Sequence, residues 1–409
     1  VKINLSFGFS FIFYKMSNEK IEKIKLNSFL ISSAPARADF LNTHQDYKGL
    51  PVVPIAINLR TYFFAIKEIN EKFKIISLNL KKQGVEYIDI FNIPKVNLKP
   101  GRWFGNYLRS VFIALQKYIR KNFNKGLEIL IESEIPVASG LASSAALEVA
   151  FTKLLSEYYD LNLSLEEIAE ISFIAENKIF GIPCGRLDQY GSSFGKSIIL
   201  YPKPPVKVEA LPINDMNIIV VDSGIRHSVA DIHPKRQEEI NIGLKQLMES
   251  SIVPKEIKEK IGYRFDEPKW DEIKIEEIEK YLGLINNISA KRILYTIKTH
   301  ESTLRAIEII KSSVIKNKLY ELGKIMNEQH EFMRDLYDLS LPKIEKIRNE
   351  MLNSGALGVK ISGAGLGGCL IGIYDKKENG NKILESAIKA GATNGWILKI
   401  DEGVKAEWR

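Results

Sequence analysis

Residues 136–146 read Pro136-Val-Ala-Ser139-Gly140-Leu141-Ala142-Ser143-Ser144-Ala145-Ala146, a run of small residues between a strand-like segment, Leu127 to Ile131, and a stretch of helical character from about Ser144 to Tyr159. Strand, small-residue loop and helix in that order let backbone amides approach an anion closely, and the helix N-terminus adds partial positive charge. Two serines at the turn offer hydroxyls to a phosphate or to Mg²⁺. The Gly-Lys-Ser/Thr ending of a Walker A loop is missing. The stretch therefore reads either as a phosphate loop of another kind or as a tight strand-to-helix turn.

Working outward, the chain alternates strand and helix signals on both sides. Phe29 to Thr61 reads as strand, polar loop and strand; Lys74 to Leu80 and Val85 to Phe91 read as paired strands. Asn106 to Arg120 carries helical apolar spacing at Leu108, Phe112, Leu115 and Ile119. Ser164 with Glu167 is a capping box opening a helix that is expected to run to about Phe180. Ser197 to Tyr201 and Asn217 to Val221 read as buried strands around a Pro-rich stretch, Pro202 to Pro212, the best candidate for a domain boundary. Helices are expected from there to Asn353, followed by two strands, Val359 to Ile361 and Cys369 to Tyr374, around a glycine-rich turn.

Two further segments carry chemistry. Glu176, in Ala175-Glu176-Asn177, stands twelve residues before Asp188, in Cys184-Gly185-Arg186-Leu187-Asp188-Gln189. Two carboxylates on adjoining elements can divide labour, one holding Mg²⁺ and the other accepting a hydroxyl proton, although carboxylates near helix ends are more often solvated or capping. The other segment is Ser362-Gly363-Ala364-Gly365-Leu366-Gly367-Gly368-Cys369. Such glycine density between strands implies backbone lying against a ligand or against another backbone.

Taken together, in this order and spacing, the three segments resemble the GHMP kinases, and other stretches resemble the galactokinase family among them. Ser33-Ala-Pro35-Ala-Arg37-Ala-Asp39-Phe-Leu-Asn42-Thr43-His44-Gln45-Asp46-Tyr47 is similar to that family's Pro-Gly-Arg-Val-Asn-Leu-Ile-Gly-Glu-His-Thr-Asp-Tyr. Phe104-Gly-Asn106-Tyr107 resembles its Trp-x-Asn-Tyr, and Asn327-Glu328-Gln329-His330 with Arg334-Asp335 and Ser340 resembles its Asn-Glu-Ser-His…Leu-Arg-Asp…Ser. The resemblance spans about Ser33 to Tyr374.

It implies an α+β fold of two domains with the active site in the cleft between them: residues 16–204 carrying the first two motifs, residues 205–409 carrying the third, and residues 1–15 an extension outside the family pattern. It implies ATP and Mg²⁺ as cofactors and transfer of the γ-phosphoryl group to the anomeric C1 hydroxyl of a sugar, galactose first. Asp188 would take or orient the C1 hydroxyl proton, and Arg37 would hold Asp188 ionised and neutralise charge on the phosphoryl group. Ser144 and Glu176 would bind the metal. Pro136 and Ser139 through Ala145 would cradle the ATP phosphates, with Tyr107 also at the nucleotide. Asp46, Gly185, His44, Gly363 and Gly365 would line the sugar pocket together with Arg37 and Asp188.

Departures fall on the sugar side. Thr43 stands where the family has a Glu facing the sugar's C6 hydroxyl, and His233, in Asp231-Ile-His233-Pro-Lys-Arg236, stands where a sugar-contacting Tyr is expected. Ala38, Asn42 and Ala138 replace a Val, a Gly and a phosphate-loop Gly. A pocket built to bond one hydroxyl rejects analogues lacking it, so galacturonate, L-arabinose and N-acetylgalactosamine stay open beside galactose. A sugar and ATP sensor without turnover is the reading from another class, and the surviving Arg37, Ser143, Ser144, Glu176 and Asp188 argue against it.

Composition agrees with an enzyme of this kind. The 409 residues are 45% hydrophobic and 26% charged, enough to bury a large core. The net charge of +8 is spread among acidic residues and accompanied by no nucleic-acid module. Only Cys184 and Cys369 are present, which suits a reducing compartment, and both read as small buried residues. The apolar run from Ile3 to Tyr14 is too short to span a bilayer and is followed by Lys15 and Met16, so a natural start near Met16 is expected. These features predict a cytoplasmic protein, monomer or homodimer, without nucleic-acid or membrane partners.

Overall fold

The computed structural model describes residues 18–93, 95–213, 215–226, 229–314 and 317–409, so the expectation for residues 1–15 lies outside the described residues. The first sheet gathers β1 (Leu30–Leu41), β2 (Val53–Asn70), β3 (Lys72–Ser77), β4 (Ile88–Asn92) and β5 (Lys125–Ser133). A short hairpin, β6 (Ile198–Tyr201) with β7 (Lys207–Ala210), follows; the second sheet holds β8 (Asn217–Asp222), β9 (Gly358–Ser362), β10 (Cys369–Tyr374) and β11 (Asn394–Leu398). The last strand, β12 (Lys405–Trp408), returns to the first sheet, whose order is β12-β1-β2-β5-β3-β4; the second runs β11-β8-β10-β9.

β1 is buried along its whole length, and its sequence explains how. Ser and Ala at Ser32 to Ala36 leave room for helix Ser143–Tyr158, and Ser32 Oγ donates to the Ala150 carbonyl at 2.7 Å across that contact. Helices Gly105–Ile119 and Leu165–Ile174 pack in the same core, the second opened by the expected Ser164–Glu167 capping box. β8 and β10, both apolar, pair antiparallel in the middle of the second sheet and are covered by helices Pro342–Asn353 and Asn379–Ala390.

Three features depart from the sequence reading. The helix expected to continue to Phe180 changes pitch: residues Ala175–Phe180 form a π-helical turn, the wider winding often found where a side chain is re-aimed at a functional site. The Pro-rich stretch, read as the candidate domain boundary, contains β7, which pairs with β6 beside β2. Finally, β12 pairs with β1, so the first sheet takes its edge from beyond residue 204. Buried Arg60 holds this tail, donating from Nη1 to Asp401 Oδ2 at 2.7 Å and from Nη2 to the Gly403 carbonyl at 2.8 Å. Among the described residues no helix is long and apolar enough to cross a membrane.

Candidate active site

The first, second and third motifs meet where β1, the loop before helix Ser143–Tyr158, and the β9–β10 turn converge. The glycines of the third motif lie against backbone. A side chain on Gly140 would collide with the Ser362 carbonyl, and one on Gly363 would come within 2.8 Å of Gly140 Cα. Cys369 N donates to the Ser139 carbonyl at 2.8 Å, and Ser362 Oγ donates to the Gly140 carbonyl at 3.2 Å. Gly365 packs on Leu339. The β9–β10 turn thus grips the loop of residues 136–144, with Gly363 and Gly368 against its backbone.

Ala142 precedes helix Ser143–Tyr158 in left-handed conformation (φ 57) and supplies no side-chain cap. The first amides of the helix, with Ser143 and Ser144 half-buried beside them, therefore keep donors of the kind that bind phosphate. Leu141 and Ala145 point into the core instead, and contribute backbone only.

Arg37 is buried on β1, and its guanidinium joins two motifs. Nη1 donates to the Gly140 carbonyl at 2.7 Å, while Nε at 2.8 Å and Nη2 at 2.5 Å both donate to Asp188 Oδ1. Both bonds falling on one oxygen leaves Asp188 Oδ2 without a partner among the described residues, on a side chain 28% exposed. A carboxylate anchored through one oxygen and open at the other is suited to accept a proton.

Behind Asp188 lie two more carboxylates. Glu176, turned inward by the π-helical turn, accepts from Gln189 Nε2 at 2.5 Å and hydrogen-bonds Ser144; burial and the Asp188 charge raise it to about 7. Glu148, one helical turn after Ser144, accepts from the same Gln189 Nε2 at 3.3 Å. Tyr107 packs edge-on against Phe180 and lies within the field of Glu176 and Glu148. Among the described residues no three His, Cys, Asp or Glu side chains converge on one point. Ser144 and Glu176 would therefore supply two hard oxygen ligands, the number Mg²⁺ commonly takes from protein when phosphates complete its shell. Buried, cation-poor carboxylates beside a serine hydroxyl fit that ion.

On the other side of Asp188, Asp46 accepts from Leu187 N at 3.2 Å, and burial followed by the Asp188 charge raises it to about 6. Gly185 abuts the Asp46 carboxylate so closely that a Cβ there would overlap it. His44 uses both ring nitrogens: Nε2–H donates to the Ala364 carbonyl and Nδ1 accepts from Tyr47 OH, each at 3.0 Å. It therefore ties the first motif to the third. His233 stands 4.7 Å from His44, ring centre to ring centre. Its Nδ1–H donates to the Pro183 carbonyl at 3.1 Å, which leaves Nε2 as a lone-pair acceptor without a partner among the described residues. Burial lowers His233 to about 4, so the ring is neutral at pH 7.

Thr43 is buried at 1% exposure, its Oγ1 accepting from Lys360 Nζ at 2.7 Å. Lys360 also donates to the Asp39 carbonyl at 2.8 Å, and burial pulls it down to about 8. The sequence reading missed Lys360, Glu148 and Lys48. Lys48 is buried with its Nζ 4.9 Å from the Tyr337 ring centre and 2.8 Å from Thr296 Oγ1. The readable signal was slight: a Lys inside apolar β9, and a Glu four residues beyond Ser144 on an otherwise apolar helix face.

Comparison with known proteins gives this geometry its class. Residues 106–196 match the GHMP kinases N terminal domain, and residues 310–393 match the GHMP kinases C terminal model. The chain belongs to the GHMP kinases. Residues 22–67 match the galactokinase galactose-binding signature, and within the GHMP kinases the chain belongs to the galactokinase family. It is 28% identical over 405 residues to a galactokinase of Clostridium acetobutylicum, covering 95% of this chain and 98% of that one. A galactokinase of Thermotoga maritima is 29% identical over 368 residues, covering 87% and 92%. The fold is that of a Lactococcus lactis galactokinase complexed with galactose (TM-score 0.78, 23% identity, 95% and 98% covered) and of the Methanococcus jannaschii mevalonate kinase (TM-score 0.66, 19% identity, 92% and 99% covered).

Proposed function

We propose that this protein transfers the γ-phosphoryl group of ATP to the C1 hydroxyl of galactose. The observation that carries the reading is the Arg37–Asp188 pair, bonded through one carboxylate oxygen beside the Gly140 carbonyl of the phosphate loop. Asp188 Oδ2 accepts the C1 hydroxyl proton, and Arg37 holds the carboxylate through its other oxygen while facing the charge of the transferring group. Ser144 and Glu176 hold Mg²⁺, which when bound neutralises charge on the phosphate oxygens. The loop of residues 136–145 and the helix amides behind it take the phosphates, and Asp46 with the backbone at Gly185 takes ring hydroxyls.

The sugar side favours a neutral galactose over galacturonate. His233 presents a lone pair, which accepts a hydroxyl hydrogen and repels a carboxylate. Thr43, expected opposite C6, has its hydroxyl engaged by Lys360, and His44 has both nitrogens engaged. Recognition therefore rests on Asp46 and His233. Two free cysteines, Cys184 and the buried Cys369, support a reducing, cytoplasmic setting, where the chain acts as monomer or homodimer on small molecules.

The test is ADP release from the purified protein with Mg-ATP across galactose, galacturonate, L-arabinose, N-acetylgalactosamine and glucose. A dominant galactose signal is expected. A dominant galacturonate signal would overturn the reading of His233, and no turnover with any sugar would support a sensor instead.

A further inference from the structure

Between the end of β1 and the short 3₁₀ turn Asp46–Lys48, the chain passes twice through left-handed backbone at residues other than glycine: Asn42 (φ 65) and His44 (φ 64). Such conformations cost free energy and persist only where the surroundings fix them. What fixes them here comes from the later half of the chain. Tyr295, on helix Asn287–Lys311, is fully buried and donates from its hydroxyl to the Thr43 carbonyl at 2.8 Å, between the two left-handed residues. Tyr337 is also fully buried, stacks on Tyr295 with ring centres 3.9 Å apart, and meets the Tyr47 hydroxyl at 3.3 Å. The proton order along this second contact follows from the Ala364 carbonyl. That oxygen requires the proton on His44 Nε2, so Nδ1 accepts from Tyr47 OH, and the Tyr47 oxygen is left to accept from Tyr337 OH. Phenylalanine would fill nearly the same volume as either buried ring, and a buried hydroxyl is tolerated where it finds a partner. Here both partners belong to one loop. That loop leads into Asp46, whose carboxylate is delivered against Gly185 and Leu187 N.

We infer that Tyr295 and Tyr337 are positioning residues of the sugar subsite: their hydroxyls hold residues 42–47 in the strained conformation that presents Asp46. Being fully buried, neither touches the sugar itself. The subsite is thus built by one half of the chain and braced by the other. The inference rests on the galactose reading for what Asp46 faces, but the brace is also measured without sugar.

The experiment compares the full-length wild type with Tyr295→Phe and Tyr337→Phe in two measurements. The first is amide hydrogen exchange without ligand. The amides of Lys48 and Leu50 donate to the Gln45 carbonyl and that of Gly49 to the Asp46 carbonyl, so their protection reports the loop's conformation. Exchange over residues 42–50 should quicken by about tenfold in Tyr295→Phe, and by less in Tyr337→Phe, while residues 136–146 keep the wild-type rate. Unchanged exchange in the loop, or a gain spread evenly over the chain, would overturn the inference. The second measurement is steady-state kinetics with galactose. KM for galactose should rise about tenfold in Tyr295→Phe, with kcat and KM for ATP within about twofold of wild type. A folded Tyr295→Phe protein with the wild-type KM for galactose would refute the positioning role and leave the kinase reading intact. If Tyr295→Phe does not fold, Tyr337→Phe decides by the same two readouts. A wild-type protein inactive on galactose would overturn the proposed function instead, and loop exchange would then decide the brace alone.

Discussion

Around the phosphate loop, three carboxylates (Glu148, Glu176 and Asp188) are served by one guanidinium, Arg37, and two of them are buried. Around the sugar-facing residues the balance reverses. His44 and His233 are neutral rings, Tyr47 and Tyr337 are held protonated by burial, and the lysines Lys48 and Lys360 lie buried beside them, both pulled down by desolvation. The first region carries a deficit of positive charge that a metal ion would offset. The second is complete in itself and offers directed lone pairs. On the proposed reading, transfer depends on positive charge brought by a metal ion, and recognition depends on hydrogen-bond direction set by the protein.

The contrast breaks most sharply at Asp188. Asp188→Asn should lower kcat by about 10²–10⁴-fold while leaving ATP binding nearly unchanged; single-turnover rates and nucleotide titration check both. A variant with near-wild-type turnover would mean that Oδ2 is not the proton acceptor.

Lys360 tests whether the buried lysines are structural. Lys360→Met leaves the Asp39 carbonyl and Thr43 Oγ1 without their donor and Asp39 without its nearest cation. Folding stability should drop by about 3 kcal/mol in urea denaturation, with the ratio of galactose to galacturonate activity unchanged. A shifted ratio would place Lys360 among the sugar-reading groups.

His233→Phe removes the accepting lone pair and keeps a ring. kcat/KM for galactose should fall by about tenfold, with KM for ATP unaffected. Equal activity toward galactose would return the sugar contact to another residue.

The smallest effect is a matter of pH. Asp46 needs its carboxylate to accept from sugar hydroxyls, and its proton leaves only near pH 6. kcat/KM for galactose should rise with pH through about 6 and level off above it. Stability runs the other way: the native state keeps this proton between the ordinary carboxylate pKa and about 6, where the unfolded chain has lost it. This group's contribution to stability therefore declines as pH rises through that window. Asp46→Asn should remove the decline in a pH series of Tm values while reducing sugar turnover, and a decline that persists would assign it to a different group.

Several elements were legible because their signals are local. The Ser164–Glu167 capping box, the helix Gly105–Ile119 and the pairing of β3 with β4 follow from spacing within one or two turns or strands. The family resemblance implied roles for Arg37, Asp188, Ser144 and Glu176, and the fold brings Arg37 to Asp188 and Ser144 to Glu176. The π-helical turn at Ala175–Phe180 was not legible, since one residue more or less per turn leaves the apolar pattern almost unchanged.

What the sequence by itself determined is therefore the list of parts: a small-residue loop opening a helix, two carboxylates twelve residues apart, a glycine-rich turn, and positions at Thr43 and His233 that depart from the galactokinase pattern. Tertiary structure alone decided what each part faces. Gly363 meets the backbone of Gly140, His233 owes its tautomer to a carbonyl 50 residues away, and Asp39 N meets Ser362 Oγ across 323 residues. Periodicity records which side of an element is buried. The partner waiting there depends on how distant elements pack, and a buried Lys360 or Glu148 acquires its meaning only when that partner is in place.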